Sequence, residues 1–531
     1  MQKLLLLGDE ALAQGALDAG LSGVYAYPGT PSTEITEYIQ HSQQAADNGV
    51  HRDWSSNEKT AMEAAIGMSY AGKRALVCMK HVGLNVAADP FMNSSIVGAN
   101  GGLVILSADD PSMHSSQNEQ DSRVFGKFAL MPIFEPSNQQ ECYDMVQYAF
   151  EFSEKYRVPV MMRITTRLAH SRSGVVRKEP KKQNEINIPE NLRQYVLLPA
   201  ISRKNYKELL IKQDNFIGHS TTDGWNSLTM GKDKKYGIIA AGIAYNYLME
   251  NYPNGDIPYS VLKISQYPLP TEMLIKLATE TDELIVMEDG YPFIEEQLKS
   301  LIPSSLIVRG RLDGTLPRDG ELNPNIIAKA LKIDKGEFNI IPEVVKPRPP
   351  KLCDGCPHIN SYNALNEALK DYTPGRVFAD IGCYTLGALP PYSAINTCVD
   401  MGASITMAKG AADAGIFPAV SVIGDSTFTH SGMTGLLDAV WEKAPITVLI
   451  LDNSTTAMTG GQDSNAYTKI ESICKGLGVE ENHIRVITPL PKNHEENVKI
   501  IKEELEYKGV SVIIPRRECI QTIGKKKRTC N

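Results

Sequence analysis

The sequence has no long apolar run, no excess of basic residues and no regular cysteine spacing, and each absence excludes a class of protein. No stretch approaches the roughly 18 to 20 apolar residues that cross a bilayer. The net charge is −8, whereas nucleic-acid-binding surfaces call for a clustered basic face. The nine cysteines are odd in number and scattered, as is typical of reduced thiols rather than of a disulfide framework. We therefore expect a cytoplasmic protein with no membrane span and no nucleic-acid partner.

The two ends of the chain resemble targeting signals only superficially. Leu4–Leu7 is apolar for four residues before Gly8 and the acidic residues that follow it, so we predict a buried first strand rather than a signal core. The tail 521–531 contains the basic run Lys525–Arg528. We interpret it as a solvated terminus, with a docking contact as the alternative.

The length of 531 residues is too great for one hydrophobic core, so several domains are expected. Short apolar runs alternate with helical patterns in three stretches, which predicts an α/β fold with three open parallel-sheet domains. The predicted order is a first domain over 1–175, a charged linker with some helix over 176–235, a middle α/β domain over 236–340, a proline-rich linker over 341–351, a third domain over 352–520 and the basic tail.

The strongest motif lies in the third domain, where two predicted strands end in polar residues. Gly424, Asp425 and Ser426 end the first strand, and Asn453 and Thr455 follow the second. Parallel neighbouring strands present such residues at one sheet edge, where α/β sheets bind ligands. Carboxylate, amide and other oxygens suit Mg²⁺, which phosphate oxygens then complete, and Gly424 lets the backbone approach a diphosphate. Asp425, Asn453 and Thr455 are the candidate metal ligands, and an accidental pair of capping residues is the alternative.

This spacing resembles the thiamine-diphosphate fingerprint, in which Gly-Asp-Gly is followed one crossover later by Asn. Ser426 stands where most such enzymes have Gly, and the run GDSTFTHSG is similar to that of the indolepyruvate branch of 2-oxoacid:ferredoxin oxidoreductases. Six further blocks resemble that branch in the right order: Tyr27–Ser32, Asn57–Ala61, Met79–Asn85, His114–Arg123, Cys353–His358 and Thr459–Gln462. The resemblance to the large subunit of indolepyruvate:ferredoxin oxidoreductases covers nearly the whole chain.

The resemblance implies a fold and an activity. The first domain would be the pyrimidine-binding domain and the third the diphosphate-binding domain, with the cofactor between them. The expected reaction is oxidative decarboxylation of aryl 2-oxo acids of the indolepyruvate type to acyl-CoA, with thiamine diphosphate and Mg²⁺ as cofactors and coenzyme A as co-substrate. The expected partners are a small β subunit, a ferredoxin that accepts the electrons and a second copy of the large subunit.

Catalytic roles follow from the chemistry and the resemblance together. Thiamine catalysis needs an acid in an apolar pocket beside the aminopyrimidine ring. Glu58 is the candidate, although alone it reads as an ordinary charge at a helix N-terminus. The resemblance assigns the substrate carboxylate to Arg123, which offers a bidentate fork, and to Thr30; a surface arginine is the alternative. His81 is expected to polarise the substrate or handle a proton, or else to be structural.

Three segments of the third domain are expected to line the cofactor. The resemblance places Cys356 and His358 there, although the Cys-x-x-Cys spacing alone suggests zinc or a redox pair. Gly382 and Cys383 follow a strand and are predicted to contact the cofactor, with a buried thiol as the alternative. Gly402 starts a turn into a helix whose free N–H groups are expected to face the diphosphate.

The chain departs from the family in one respect. Large subunits of this branch usually carry a ferredoxin-like segment with Cys-x-x-Cys-x-x-Cys-x-x-x-Cys-Pro runs, and no such run occurs here. A [4Fe–4S] cluster is expected for the family, yet we identify no ligand motif for one, so electrons would leave through a partner subunit or directly to ferredoxin. Two alternatives stay open: a non-oxidative 2-oxo acid decarboxylase, and a silent cofactor-binding partner, which Glu58, Asp425 and Asn453 disfavour.

Overall fold

The computed structural model describes residues 3–334, 342–346 and 350–523. The chain forms two compact units, Met1–Asn339 and Ile340–Asn531. Parts of the predicted proline-rich linker and basic tail lie outside the described residues. Within the described part, no helix combines the length and apolar character needed to cross a bilayer.

The first unit alternates strands and helices along its length. Its strands are β1 (Lys3–Leu7), β2 (Gly23–Ala26), β3 (Ala75–Lys80), β4 (Leu103–Asp109), β5 (Ile133–Phe134), β6 (Val160–Thr165), β7 (Arg172–Val176), β8 (Ser227–Thr229), β9 (Asp233–Ala241), β10 (Tyr259–Ile264), β11 (Gln266–Tyr267), β12 (Glu283–Met287) and β13 (Ile307–Arg309). Its helices are α1 (Gly8–Asp18), α2 (Thr33–His41), α3 (Gln43–Asp47), α4 (Glu58–Tyr70), α5 (His81–Val86), α6 (Ala88–Val97), α7 (Arg123–Phe128), α8 (Gln139–Tyr156), α9 (Thr166–His170), α10 (Pro199–Thr222), α11 (Ile243–Met249), α12 (Thr271–Glu280), α13 (Phe293–Leu298) and α14 (Pro324–Ala330).

The six-stranded sheet of this unit has the order β11-β5-β6-β4-β3-β2 and is parallel except for β11. Its central strands are continuous apolar runs because helices cover both faces. Leu76 and Cys78 of β3 pack in one core with residues of α1 and α8, while Val77 and Met79 pack in another with residues of α4 and α6.

A second, five-stranded sheet has the order β13-β12-β9-β10-β8 and is parallel except for β8. The predicted linker 176–235 contributes the long helix α10 and also β8, the edge strand of this sheet. Strand β11, which falls in the predicted middle domain, pairs with β5 of the six-stranded sheet. The first and middle segments are therefore joined by backbone hydrogen bonds.

The predicted first strand at Leu4–Leu7 is present as β1, but it is not buried along its length. Strand β1 pairs antiparallel with β7 in a separate two-stranded sheet. Alternate side chains of a strand point to opposite faces, so Leu6 is buried whereas Leu5 is 69% exposed. Because all four residues are leucines, the sequence shows no polar–apolar alternation that would identify the exposed face.

The second unit is built on one parallel sheet of order β14-β15-β16-β20-β19. Its strands are β14 (Val377–Ala379), β15 (Ala419–Gly424), β16 (Ile446–Leu451), β17 (Thr455–Thr456), β18 (Gln462–Asp463), β19 (Ile484–Ile487) and β20 (Ser511–Pro515). Its helices are α15 (Pro357–Ala368), α16 (Ala403–Asp413), α17 (Asp425–Thr427), α18 (Met433–Trp441), α19 (Ile470–Gly476) and α20 (His494–Glu506), and a π turn over Phe428–Gly432 joins α17 to α18. The predicted α/β class with parallel sheets is confirmed.

Candidate active site

The predicted metal ligands of the second unit lie at one sheet edge. Gly424 pairs with Leu451 in register, so Asp425 and Asn453 follow neighbouring strand ends. Burial, together with the charge of Asp452, raises the pKa of Asp425 to about 7. Among the described residues the Oδ2 atom of Asp425 has no hydrogen-bond partner. A buried carboxylate with an unsatisfied oxygen indicates a missing ligand, and a cation would supply the compensating charge.

Asn453 and Thr455 complete the edge. The Oδ1 atom of Asn453 accepts a hydrogen bond from the backbone N–H of Thr455 at 3.1 Å, and its Nδ2 lies 3.3 Å from Nε2 of His358. The hydroxyl of Thr455 donates to the carbonyl of Gln462 at 2.9 Å. Each side-chain oxygen keeps a lone pair, so both residues fit as Mg²⁺ ligands. Ser426 pairs through its hydroxyl with Thr456 at 2.8 Å.

A buried tyrosine explains two of the predicted cofactor glycines. A Cβ on Gly424 would lie 2.6 Å from the ring of Tyr384, and one on Gly382 would lie 2.3 Å from it. The Tyr384 hydroxyl donates to Asp380. Close packing against this ring therefore requires glycine at both positions, whether or not a diphosphate approaches.

The expectation of free N–H groups at Gly402 is wrong. Gly402 is the N-cap residue of α16, and its φ of +93° favours glycine. The carboxylate of Asp380, however, accepts from the backbone N–H of Gly402 at 3.1 Å and from that of Ser404 at 3.2 Å. Asp380 directly follows β14 and was missed, although a strand-end aspartate is the same signal that identified Asp425.

Four thiols gather beside this edge. Burial first, and then the neighbouring thiols of Cys519, Cys356 and Cys353, raise the pKa of Cys383 to about 12. The backbone N–H of Cys519 donates to the carbonyl of Asn453 at 3.2 Å, which joins the thiols to the sheet edge that carries Asp425 and Asn453. Cys519 was missed because it lies far along the chain from the other three. The sequence contains no contiguous ligand motif for a cluster, and these thiols come together from three separate segments of the chain.

The spacing of these thiols decides what they can hold. Four sulfurs around one zinc at about 2.3 Å lie about 3.8 Å apart. Among the described residues, no three cysteines bring their sulfurs within 4.8 Å of one another. The four thiols are therefore not arranged as ligands of a single zinc ion in this structure.

In the first unit, Glu58 occupies the first turn of α4, whose N-cap Asn57 accepts from the backbone N–H of Thr60 at 2.8 Å. The Glu58 side chain is buried. A Cβ on Gly83 would lie 2.6 Å from its Oε1, so the carboxyl rests on the backbone of α5. Only glycine at position 83 leaves room for it.

Lys80 lies beside Glu58 and was missed by the sequence reasoning. Its Nζ donates to the carbonyl of Ser115 at 3.0 Å, and its stem packs 3.4 Å from where a Cβ of Gly29 would stand. Burial lowers the pKa of Lys80 to about 8, against the opposing charges of Asp110 and Glu58. The predicted residue Thr30 is half-buried, and its carbonyl accepts from the Ser115 hydroxyl at 3.4 Å. Thr30, Glu58 and Lys80 are thus linked through shared neighbours.

The predicted role of Arg123 as substrate anchor is wrong for this structure. Arg123 is 0% exposed, and its guanidinium pairs with Asp121 and lies 3.1 Å from Glu288 and 3.5 Å from Glu135. It also donates to the hydroxyl of Tyr267 at 3.2 Å. Every nitrogen is already committed, so no face remains for a carboxylate.

His81 is buried in the first turn of α5. Its Nε2 lies 3.1 Å from the carbonyl of Asn118, whereas its Nδ1 has no hydrogen-bond partner among the described residues. Burial lowers the pKa of His81. The ring is therefore neutral at physiological pH and can share a proton through Nδ1.

Comparisons with known proteins agree with this geometry. Residues 14–197 match the family "Pyruvate flavodoxin/ferredoxin oxidoreductase, thiamine diP-bdg", and residues 380–514 match "Thiamine pyrophosphate enzyme, C-terminal TPP binding domain". The chain is 38% identical to indolepyruvate oxidoreductase subunit IorA of Archaeoglobus fulgidus, over 98% of this chain and 86% of that one. It is 38% identical to the subunit IorA of Pyrococcus horikoshii, over 99% and 87%.

A solved structure shows the same fold. The 2-oxoglutarate:ferredoxin oxidoreductase from Magnetococcus marinus, with 2-oxoglutarate, coenzyme A and succinyl-CoA bound, aligns with a TM-score of 0.51 at 15% identity. The alignment covers 62% of this chain and 65% of that one.

Proposed function

Because the chain belongs to the indolepyruvate oxidoreductase IorA family, as a thiamine-diphosphate-dependent 2-oxoacid:ferredoxin oxidoreductase subunit, we propose that its substrates are aryl 2-oxo acids. The proposed reaction converts the 2-oxo acid anion and coenzyme A to acyl-CoA, CO₂, one proton and two electrons. A ferredoxin accepts the electrons one at a time, with the help of a small β subunit. The aryl substrate class is supported by the similarity to IorA subunits, and the use of thiamine diphosphate with Mg²⁺ is supported by the unsatisfied, buried carboxylate of Asp425.

The residues of the second unit would hold the diphosphate. Asp425, Asn453 and Thr455 offer oxygen ligands to one Mg²⁺, whose remaining positions suit phosphate oxygens. The thiols of Cys353, Cys356, Cys383 and Cys519 would hold a [4Fe–4S] cluster, since cysteine thiolates are its usual ligands. Such a cluster beside Asn453 would provide a one-electron relay.

The residues of the first unit would act on protons and on the substrate. Thiamine diphosphate, when bound, supplies a nucleophilic carbon and an electron sink for decarboxylation. Glu58 would donate a hydrogen bond to the aminopyrimidine ring. Lys80, in place of Arg123, would hold the substrate carboxylate, because it is a half-buried cation next to Thr30. The neutral ring of His81 would move a proton through Nδ1.

The role of Glu58 has a direct test. Glu58→Gln keeps the shape of the side chain but removes the acid, so deuterium exchange at C2 of the cofactor should slow by about 100-fold or more. Glu63→Gln, exposed on the same helix α4, is the matched control and should leave exchange unchanged. Normal exchange in the Glu58 variant would require another acid.

The full reaction is tested with the purified chain and its small subunit. We expect about four iron atoms per chain, reduced in Cys356→Ser, and reduction of a viologen dye on addition of indolepyruvate and coenzyme A, accelerated by the small subunit. Aldehyde release that no partner accelerates would instead favour the non-oxidative decarboxylase. Equal rates with 2-oxoglutarate would contradict the aryl substrate class, and iron-free protein would contradict the cluster.

A further inference from the structure

The first unit contains a second group of potential metal ligands. Its members have no role in the proposed reaction. Asp9 in the first turn of α1, Glu34 in the first turn of α2 and His170 at the end of α9 bring their ligand atoms within 4.8 Å of one another. Nε2 of His170 lies 3.5 Å from Oε1 of Glu34. The consecutive helices α1 and α2 and the distant helix α9 therefore converge on one point.

Asp9 is the feature that calls for an explanation. Its side chain is 0% exposed, and among the described residues neither of its carboxylate oxygens has a hydrogen-bond partner. Oε2 of Glu34 is likewise buried without such a partner in the described part of the chain. A carboxylate that is buried without a hydrogen bond or a counter-charge destabilises the folded state. An ion between the three side chains would satisfy these oxygens.

We propose that Asp9, Glu34 and His170 form a binding site for one divalent transition-metal ion such as Zn²⁺ or Mn²⁺. Two carboxylates and a neutral imidazole carry a charge of −2, which a divalent ion neutralises. The imidazole favours Zn²⁺ and related ions over Mg²⁺ and Ca²⁺, which prefer oxygen ligands alone. Three protein ligands leave a position for water.

The surroundings allow an ion to enter and give it a structural consequence. The side chains of Glu34 and His170 are 35% and 34% exposed, so the group is reachable from solvent although Asp9 is not. Helix α2 directly follows the loop that contains Thr30. Helix α9 is tied through Thr166 to Asp110, which also accepts from Ser115 and Ser116. An ion at Asp9 would therefore fasten the supports of the Thr30 loop.

The test measures zinc bound to the full chain, purified with any subunit that accompanies it, stripped with chelator and dialysed against Zn²⁺. Asp9→Asn is isosteric and should lose one equivalent of zinc per chain relative to wild type. Glu10→Gln removes a neighbouring charge on the same helix turn without removing a ligand, and should keep that equivalent. Variants of Asp425 and Cys356 should lose their own metal and retain this one.

A thermal readout separates a metal site from a packing role. Zinc should raise the melting temperature of the stripped wild type and of Glu10→Gln, but not that of Asp9→Asn or His170→Gln. Glu34→Gln, at a partly exposed position, gives the same comparison should Asp9→Asn fold poorly. Equal zinc content in wild type and Asp9→Asn would overturn the proposal. Asp9 would then be a protonated acid packed against Glu34.

Discussion

The charges around Arg123 and those around Asp425 are equally buried, yet they are satisfied in opposite ways. Arg123 and Arg163 are each surrounded by carboxylates, and Arg163 pairs with Asp109 at 2.7 Å. Asp425 has a neighbouring carboxylate instead of a cation and keeps one oxygen without a partner among the described residues. Buried charges that have partners of opposite charge therefore indicate a structural network. A buried charge without such a partner indicates a site for a ligand.

The network around Arg123 joins the two sheets of the first unit. Arg163 lies on β6 of the six-stranded sheet and donates to the backbone carbonyl of Asp289, which follows β12 of the other sheet, at 2.8 Å. Glu288, also next to β12, lies against Arg123 and accepts from the backbone N–H of Ile294. Side chains of the network therefore join the middle segment to the six-stranded sheet, as the backbone of β11 also does.

The largest effect should come from breaking the paired region. Arg123→Ala leaves Asp121, Glu135 and Glu288 without their cation, which should cost about 3–5 kcal/mol in the free energy of unfolding. The control Arg309→Ala breaks an exposed pair with Glu283 and should cost at most about 1 kcal/mol. Denaturant titration of the first unfolding transition measures both. Similar, small losses would show that Arg123 is free to serve the substrate after all.

Breaking the unpaired region should abolish ligand binding rather than folding. Asp425→Ala removes a metal ligand, so the affinity for thiamine diphosphate in magnesium should fall by more than about 100-fold, beyond what loss of a supporting contact costs. Calorimetric titration measures the affinity, and Asp438→Ala, exposed on α18, is the control. Unchanged affinity in Asp425→Ala would contradict the metal edge.

Lys80 is neither fully paired, like Arg123, nor unsatisfied, like Asp425. We expect its substitution to have the smallest effect of the three. Lys80→Met should raise the KM for the 2-oxo acid about tenfold through loss of one charged hydrogen bond. In wild type, KM should rise as pH increases through about 8, because the lysine then loses its charge. Steady-state rates across this range, with exposed Lys59→Met as control, provide the measurement. A flat pH profile in wild type would exclude Lys80 as the anchor.

The same shift makes a stability prediction of opposite sign. The folded chain releases the Lys80 proton near pH 8, whereas the unfolded chain holds it up to the ordinary pKa of 10.5. Between these values the unfolded state binds more protons, so the contribution of Lys80 to stability rises with pH. Lys80→Met should remove this rise.

Local signals predicted most of the fold. The predicted alternation of apolar strands and helices recurs in the fold because helix caps and apolar runs depend on adjacent residues. Asp425 and Glu58 became candidates for the site because each lies in a contiguous motif, and their roles stay predictions. Lys80 and Cys519 were missed, and Arg123 was misassigned, because their neighbours are distant in the sequence, up to 168 positions away for Arg123. Asp380 was missed although its position after a strand is a local signal. One sequence read alone gives no information on such juxtapositions.

The two-residue strand β11 has a consequence for how this chain can be divided. A fragment that ended after β7 would keep β5 with an unpaired edge, and such edges recruit other chains. It would also leave Arg123 without the Glu288 carboxylate and Arg163 without the Asp289 carbonyl. The first predicted domain, residues 1–175, is therefore not expected to fold when it is moved into another protein by itself. A chimaera of two relatives would therefore have to exchange residues 3–334 together.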